Sequence, residues 1–267
     1  MSGKDFEGFI VLVTGASTGL GRAIAVETAS RGAATVIINY ARSADEAQET
    51  ARQVEAHGAK AVLVQGDVAL DADCRKIAAA AEPFGCIDAL FNNAGTTKFA
   101  PNHADLEAVS AEDFLHLYGI NVVGAFQMVR AARALLEAGE RPGAVVNTSS
   151  IAGVAGIGSS VPYAASKGAM NTMTLSLARA LAPKIRVNAI CPGFIATPWF
   201  EKGYGAERAD QMRERTAQST PLKVASTAED IAVSAVFLAS PHARHVTGET
   251  LLVDAGTHLG YAPLTAR

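Results

Sequence analysis

The chain has 267 residues, 49% of them hydrophobic, and a formal net charge of −3 at pH 7. This length and apolar fraction predict a sizeable core in one domain, which we expect to span residues 1–267. Because the charge balance is slightly acidic and the Lys and Arg residues are scattered, a nucleic-acid partner is disfavoured.

The amino-terminal segment and the cysteines bear on where the protein works. Residues 1–9 carry Lys4, Asp5 and Glu7 instead of a basic and then apolar signal pattern, and no apolar run approaches the ~20 residues needed to span a bilayer. The 3 cysteines are widely spaced and form no CxxC pair, which favours reduced thiols over disulfides or a zinc site. We therefore predict a cytoplasmic protein with no membrane partner and no metal.

Short apolar or β-branched runs alternate with longer helical patterns along the chain. This alternation predicts parallel strands joined by right-handed helical crossovers. Several runs are apolar throughout, which is typical of strands covered by helices on both faces. We therefore predict an α/β, doubly wound Rossmann fold with a seven-stranded parallel sheet and helices on both faces. The predicted strands are Ile10–Thr14, Thr35–Asn39, Ala61–Gln65, Ala89–Asn92, Ala144–Thr148, Arg186–Ile190 and Thr250–Val253.

A glycine-rich turn follows the first predicted strand and leads into a helical run at 22–30. Glycines let a backbone approach a pyrophosphate closely, and the free N–H groups of the following helix favour its negative charge. The spacing is GxxxGxG and no Lys follows, so the turn matches neither the GxGxxG fingerprint nor an ATP-binding loop. A turn without a ligand stays open as the alternative. The candidate phosphate contacts are Gly15, Ser17, Thr18, Gly19, Leu20 and Gly21.

The residues after the second strand bear on the choice of dinucleotide. They read Tyr40-Ala41-Arg42-Ser43, where an NAD-specific protein usually carries an Asp or Glu for the ribose 2′-hydroxyl. Arg42 and Ser43 can instead donate to a 2′-phosphate. We therefore predict NADP as the cofactor, with NAD as the alternative in which Arg42 is only a solvated residue.

Tyr163 and Lys167 lie four residues apart on one face of a helix predicted at about 162–181. Ser149 and Ser150 stand at the end of the strand 144–148, thirteen residues before Tyr163. Ligands of open α/β sheets bind beyond the carboxyl ends of the strands, so these serines and the glycine turn are expected to open onto one crevice. Ser149 can equally form only local hydrogen bonds, and the spacing favours Ser150.

With these motifs, the sequence resembles the short-chain dehydrogenase/reductase family over about 9–256, in particular its 3-oxoacyl carrier-protein reductase and glucose dehydrogenase members. The motifs occur in the family's order, which makes the set more specific than any one of them. They are Thr14-Gly15-xxx-Gly19-x-Gly21, Asn92-Asn93-Ala94-Gly95, Asn121, Ser150, Tyr163, Lys167 and Pro192-Gly193.

The resemblance implies four catalytic residues. Tyr163 would be the general acid/base, with its pKa lowered by the Lys167 ammonium and the nicotinamide charge. Ser150 would hold the carbonyl oxygen of the substrate, and Lys167 would also grip the nicotinamide ribose. Asn121 would anchor a water behind Lys167.

The resemblance also implies further cofactor contacts besides Tyr163 and Lys167. Asp67 and Val68 would contact the adenine, and the adenine ribose would lie beside Asn93, Ala94 and Gly95. The alternative reading of the Asn-Asn-Ala-Gly segment is an ordinary turn. The segment that would hold the nicotinamide carboxamide contains Pro192, Gly193, Ile195 and Thr197.

The substrate pocket is predicted to be mostly neutral and apolar. A lid at about 197–220, which includes Trp199, would close over a ketone or alcohol, with further walls at 153–161 and 96–104. Lys98 and His103 are the candidate contacts for an anionic substrate.

The expected function is hydride transfer between a nicotinamide and a ketone or secondary alcohol. The resemblance implies a homotetramer built through helices at about 113–138 and 162–181 and the last strand. The alternative is a catalytically silent NADP-binding regulator, although such regulators usually lose the Tyr or the Lys. An extended epimerase or dehydratase is disfavoured because only about 65 residues follow the nicotinamide segment.

Overall fold

The computed structural model describes residues 4–197, Trp199, Gly203 and 205–260. It contains one seven-stranded, fully parallel sheet in the order β3-β2-β1-β4-β5-β6-β7. The predicted doubly wound Rossmann fold is thereby confirmed. The strands are β1 Ile10–Val13, β2 Thr35–Tyr40, β3 Lys60–Gln65, β4 Ala89–Asn92, β5 Gly143–Thr148, β6 Ile185–Pro192 and β7 Thr250–Val253.

The predicted strands are found: β4 and β7 have the predicted bounds, and the ends of the other five differ by one or two residues. The largest difference is at β6, which was expected to end at Ile190 and continues to Pro192. Pro192 is paired with Val253 of β7, which extends the ladder past the last apolar residue of the run. β1 ends one residue before Thr14, whose N–H donates to the Phe91 carbonyl at 3.0 Å.

Helices cover both faces of the sheet because consecutive side chains of a strand point to opposite sides. Val11 and Val13 pack with one helical layer, whereas Ile10 and Leu12 pack with the other. The first layer contains α1 Gly19–Ser30, α2 Ala44–Ala56 and α9 Ala228–Ala239. The second contains α3 Asp71–Ala79, α5 Ala125–Ala138 and α7 Val161–Leu181. The remaining α-helices described are α4 Ala111–Tyr118, α6 Ala152–Ala155 and α8 Ala206–Ser219.

The helical region expected at about 113–138 is interrupted. A π-helical segment at Gly119–Gly124 separates α4 from α5. Gly124 packs tightly on Val68, because a Cβ on Gly124 would lie 2.9 Å from the Val68 carbonyl oxygen. Asn121 is completely buried. Such wide turns inside helices are frequent at functional sites.

Two searches of the described residues bear on other classes of function. No helix there has both the length and the apolar character needed to cross a membrane. Nor do three or more His, Cys, Asp or Glu residues meet there in a group that could hold a metal ion. The three cysteines are all free thiols.

Candidate active site

The glycine turn after β1 is packed too tightly for side chains. Gly15 has φ +61° and a Cβ there would lie 2.8 Å from Ala94 Cα. A Cβ on Gly21 would lie 2.5 Å from Asn93 Nδ2 and closer still to the Gly15 carbonyl oxygen. Helix α1 begins at Gly19, not at Arg22 as expected, because the last two glycines of the motif form its first turn.

The start of α1 has the features of an anion site. Its N-cap, Thr18, is extended and makes no side-chain capping bond, and the first turn contains no acidic residue. The first N–H groups of a helix have no partner within the helix, and the helix dipole adds partial positive charge. This end of α1 therefore fits the pyrophosphate of a dinucleotide.

The Asn93–Gly95 segment lies directly against the glycine turn. Asn93 Nδ2 donates to the carbonyls of Thr14 and Gly15 at 3.2 and 3.1 Å. Thr14 Oγ1 accepts from the N–H groups of Asn93 and Ala94, both at 3.0 Å. The segment is thus part of the wall of the crevice and more than an isolated turn.

A buried polar residue that the sequence reasoning missed joins three strand ends. Asn39 Oδ1 accepts from the Gly15 N–H at 3.2 Å, and Asn39 Nδ2 donates to the Gly66 carbonyl at 3.0 Å. Asn39 is 1% exposed and follows an apolar run. A polar side chain at the carboxyl end of a predicted buried strand was the signal that could have found it.

The turn after β2 reaches the solvent at the same edge of the sheet. Ala41 and Arg42 are exposed, and Ser43 is the N-cap of α2 without a side-chain capping bond. Among the described residues, no hydrogen bond or ion pair holds the Arg42 guanidinium. Asp45 and Glu46 follow in the first turn of α2, so Arg42 is the positive charge nearest in sequence to this helix start.

Asp67 and Val68 stand at the end of β3. Asp67 Oδ1 accepts from the Ala69 N–H at 3.0 Å, and the Asp67 N–H donates to Asp73 Oδ2 at 2.8 Å. The Val68 carbonyl accepts from Cys74 Sγ at 3.2 Å. These bonds shape the turn after β3, in which the Asp67 carboxylate is partly exposed at the carboxyl edge of the sheet.

Ser150, Tyr163 and Lys167 come together at the carboxyl ends of β5 and β6. The Ser150 hydroxyl lies close enough to the Tyr163 phenol to affect its pKa. Lys167 Nζ lies 5.7 Å from the Tyr163 ring centroid and donates to the Thr148 carbonyl at 2.7 Å. Ser149 faces the other way and donates to the Lys167 carbonyl at 3.0 Å. The structure therefore brings Ser150, and not Ser149, to the phenol.

Burial changes the proton affinities of both titratable groups. It raises the pKa of Tyr163 to about 12, and the nearby Ser150 hydroxyl opposes this rise only in part. It also lowers the pKa of Lys167 to about 8. In this arrangement the desolvation of the phenol dominates its pKa, whereas the lowering expected from Lys167 together with the nicotinamide charge stays a prediction.

Asn121 is held between Thr96 and Ser166, next to Lys167. Its Oδ1 accepts from the Thr96 N–H at 2.8 Å, and its Nδ2 donates to the Thr96 carbonyl and to Ser166 Oγ, each at 3.0 Å. A Cβ on Gly95 would lie 3.3 Å from Asn121 Oδ1 and 3.7 Å from Lys167 Nζ. Gly95 thus lets Asn121 and Lys167 approach the same point.

The segment after β6 crosses from the catalytic side to the glycine turn. The Pro192 carbonyl accepts from the Ile151 N–H at 2.9 Å, and the Gly193 N–H donates to the Val253 carbonyl at 3.1 Å. Ile195 pairs with Ser226 in an isolated bridge. Thr197 Cγ2 lies 3.6 Å from where a Cβ on Gly19 would be. These positions fit a segment that borders the nicotinamide.

The predicted lid is only partly described. Pro198, Phe200, Glu201, Lys202 and Tyr204 lie outside the described residues. The Trp199 ring meets the Tyr163 ring edge-on, with centroids 6.1 Å apart and an interplanar angle of 83°. Gly203 packs against the Phe99 ring, and α8 forms the rest of the segment.

The predicted anion contacts are engaged elsewhere. Lys98 Nζ forms an ion pair with Asp113 Oδ2 at 2.6 Å, so its charge is already compensated. His103 Nε2 lies 3.2 Å from the Gly158 carbonyl oxygen. Both side chains thus have partners within the protein, and their roles as contacts for an anionic substrate stay predictions.

The segment 153–161 is divided between two sides of α7. Gly158 lies beside the Tyr163 ring, since a Cβ on Gly158 would be 3.6 Å from Tyr163 Cδ1. Gly153, Gly156 and Val161 instead line an open cleft of about 420 Å³ with Ala164 and its helical neighbours. That face of α7 is turned away from Tyr163 by helical geometry, so only part of the segment walls the site.

The buried ammonium leads to a test by pH. Below pH 8 Lys167 is charged in both states and its burial costs stability, whereas between about 8 and 10.5 only the unfolded chain keeps the proton. Because the unfolded state then binds more protons, stability rises with pH across this window. A Lys167→Met variant lacks this rise, so its free energy of unfolding should fall relative to wild type by about 3 kcal/mol across the window.

Urea unfolding on either side of the window measures this difference. Lys184→Met, which removes an exposed lysine, is the control and should show no such change. A difference between Lys167→Met and wild type that does not vary with pH contradicts the prediction.

Comparison with known proteins identifies the family. A family model described as Enoyl-(Acyl carrier protein) reductase matches residues 15–258. A Streptomyces violaceoruber protein that carries the name ketoacyl reductase 2 of the granaticin polyketide synthase is 40% identical over 252 residues, 94% of this chain and 96% of its own.

Two solved structures have the same fold. One, named as a short-chain dehydrogenase/reductase from Burkholderia xenovorans, has a TM-score of 0.85 and 39% identity and covers 95% of this chain and 99% of its own. The other, named as a short-chain dehydrogenase/reductase and glucose/ribitol dehydrogenase from Brucella melitensis, has a TM-score of 0.82 and 33% identity, with 94% and 97% covered. The chain therefore belongs to the short-chain dehydrogenase/reductase family of oxidoreductases.

Proposed function

We propose that this oxidoreductase transfers a hydride between NADP and a neutral ketone or secondary alcohol, with Tyr163 as the general acid/base. The observation that carries the proposal is that the Tyr163 phenol stands beside both the Ser150 hydroxyl, which affects its pKa, and the buried Lys167 ammonium, 5.7 Å from its ring centroid. This group stands at the carboxyl edge of the sheet, where ligands of open α/β folds bind.

The side chains divide the chemistry of carbonyl reduction between them. When bound, the nicotinamide supplies the hydride. Tyr163 donates its phenolic proton to the carbonyl oxygen, and its pKa of about 12 keeps that proton in place at neutral pH. Ser150 donates a hydrogen bond to the same oxygen as its negative charge grows. Lys167 holds the ribose hydroxyls, and Asn121 fixes the backbone at Thr96 behind it.

Charge around the site favours a free neutral substrate over one tethered to an acidic carrier. Lys98 is paired with Asp113, and α8 in the lid contains three basic and three acidic residues. An acidic carrier protein needs an electropositive rim for its approach. Trp199 and Phe99 instead provide aromatic walls, which suit an apolar ketone.

The test of this function is a screen of the purified protein for NADPH consumption with neutral apolar ketones, carboxylated ketones and a 3-oxoacyl carrier protein. Turnover is expected with the first group and to be much slower with the other two. If the protein binds NADPH but reduces none of them, and oxidises no alcohol with NADP, it is instead a silent cofactor-binding regulator.

Arg42 supports the choice of NADP. Its exposed guanidinium has no described partner, and we expect it to bind the two negative charges that a 2′-phosphate adds. Arg42→Ala should therefore weaken NADPH binding by about tenfold, or 1.4 kcal/mol, and leave NADH binding within about twofold. Fluorescence titration at fixed salt measures both dissociation constants. Arg52→Ala, farther along α2 and exposed, is the control, and equal losses for both cofactors contradict the prediction.

The assembly is part of the proposal as well. Exposed apolar side chains lie on neighbouring helical surfaces at Val123, Phe126 and Leu175, which are 48%, 44% and 52% exposed. Their exposure supports a homotetramer in which neighbouring copies would bury them. Three free thiols support a reducing compartment and hence cytoplasmic localisation.

A further inference from the structure

Arg22, in the first turn of α1, joins the glycine turn to the start of α2. Its Nη2 donates to the Ser17 carbonyl at 2.7 Å and to the Glu46 carbonyl at 3.0 Å, and its Nε donates to Thr50 Oγ1 at 3.0 Å. Thr50 is completely buried, and its hydroxyl lies 3.1 Å from both carbonyl oxygens. Two segments that are distant in sequence are thus held by one side chain and one buried hydroxyl.

At the glycine turn, these bonds orient a peptide group. The carbonyl and the N–H of a trans peptide point in opposite directions. Because Arg22 and Thr50 hold the Ser17 carbonyl towards α2, the Thr18 N–H of the same peptide points the other way. The bonds therefore keep a carbonyl dipole away from a bound phosphate and leave an N–H to face it.

At α2, the same bonds hold the segment that carries Arg42 and Ser43. Glu46 is in the first turn of α2, three residues after the N-cap Ser43. Arg42 is exposed and has no described side-chain partner, so the position of its backbone sets the region that its guanidinium can reach. The distance between the pyrophosphate site and the 2′-phosphate site then depends on Arg22.

We infer that Arg22, supported by Thr50, is a positioning residue that sets the preference for NADPH over NADH by holding these two phosphate-binding segments at one separation. NADPH alone engages both segments, because NADH lacks the 2′-phosphate. The inference rests on the proposed NADP-dependent function and deepens it. Arg22 uses the forked geometry of its guanidinium here, which Lys cannot reproduce.

The test measures the dissociation constants of NADPH and NADH for the full chain by fluorescence titration. Arg22→Met and Arg22→Lys should each weaken NADPH binding by about tenfold and NADH binding by about threefold or less. Thr50→Val is the milder change, and it should lower the preference for NADPH over NADH by about threefold. Combined with Arg42→Ala, Arg22→Met should add almost nothing to the loss of preference, since both act on the same contact.

The other outcomes contradict either the inference on Arg22 or the proposed function. Equal weakening of both cofactors by Arg22→Met shows that Arg22 only maintains the glycine turn and overturns the inference. If Arg22→Lys keeps the wild-type ratio of NADPH to NADH affinity, the inference is overturned too, because a positive charge without the guanidinium fork would then be enough to set the preference. If wild type binds NADPH more tightly and every Arg22 and Thr50 variant keeps that ratio, the inference fails while the proposed function stands. If wild type binds neither cofactor, both fail. Circular dichroism of each variant shows that the chain is folded.

Discussion

Replacing Tyr163 by Phe is expected to lower kcat for ketone reduction by about 10²–10⁴-fold while NADPH affinity stays within about threefold of wild type. The variant keeps the ring against which Trp199 packs and loses only the hydroxyl that meets Ser150. Water is a poor substitute for the phenol as proton donor, because this part of the site is desolvated. The loss therefore falls on the chemical step.

Tyr118→Phe is the matched control, because Tyr118 is a partly buried tyrosine on α4 and belongs to no part of the proposed site. Its kcat and its affinity for NADPH should equal those of wild type. Steady-state kinetics and fluorescence titration of the three proteins provide the measurement. If Tyr163→Phe retains more than about a tenth of the wild-type kcat, Tyr163 is not the general acid.

Gly21→Ala is expected to weaken NADPH binding by about 100-fold and to lower the free energy of unfolding by about 1–3 kcal/mol. The added Cβ would meet the Gly15 carbonyl oxygen and Asn93 Nδ2, which is already bonded to two carbonyls of the turn. The Gly15 carbonyl oxygen is a backbone atom and Asn93 Nδ2 is held by its two hydrogen bonds, so the glycine turn and the Asn93 segment have to move apart. That movement opens the anion site at the start of α1.

Gly119→Ala provides the control for the same chemical change. Gly119 has helical backbone angles, and a Cβ there would meet nothing within 4 Å. This substitution should leave cofactor binding unchanged and be neutral or slightly stabilising. Titration with NADPH and urea unfolding compare the two variants. Wild-type NADPH affinity in Gly21→Ala would mean that this turn does not bind the cofactor's phosphates.

Individual elements show how far sequence reasoning reaches. The run Val36-Ile37-Ile38 predicted a strand buried on both faces, and β2 is buried in that way. The family motifs placed Gly15, Gly21, Ser150 and Tyr163 on one crevice because the ends of parallel strands share one edge. The ends of β6 and the start of α1 were less predictable, since pairing with β7 and packing of the glycines decided them.

Other features of the site depend on contacts that no local pattern encodes. The partner of Lys98 is fifteen residues away, and that of Arg22 lies in another helix. The pKa of Tyr163 is raised because the surrounding chain excludes water from the phenol. The sequence motif shows that Lys167 is near Tyr163, but it does not show how far the folded chain removes water from the phenol.

The sequence by itself therefore determined the fold class, the family and the residue types of the proposed chemistry. Hydrophobic periodicity and glycine spacing are local properties, and each residue of a motif is present whether or not its neighbours are known. Only the tertiary structure decided which serine meets Tyr163, which lysine is neutralised by an aspartate, and how the glycine turn is joined to α2. Those outcomes depend on distances between residues far apart in the chain and on the exclusion of water around them, and both arise only when the sheet and its two helical layers are assembled.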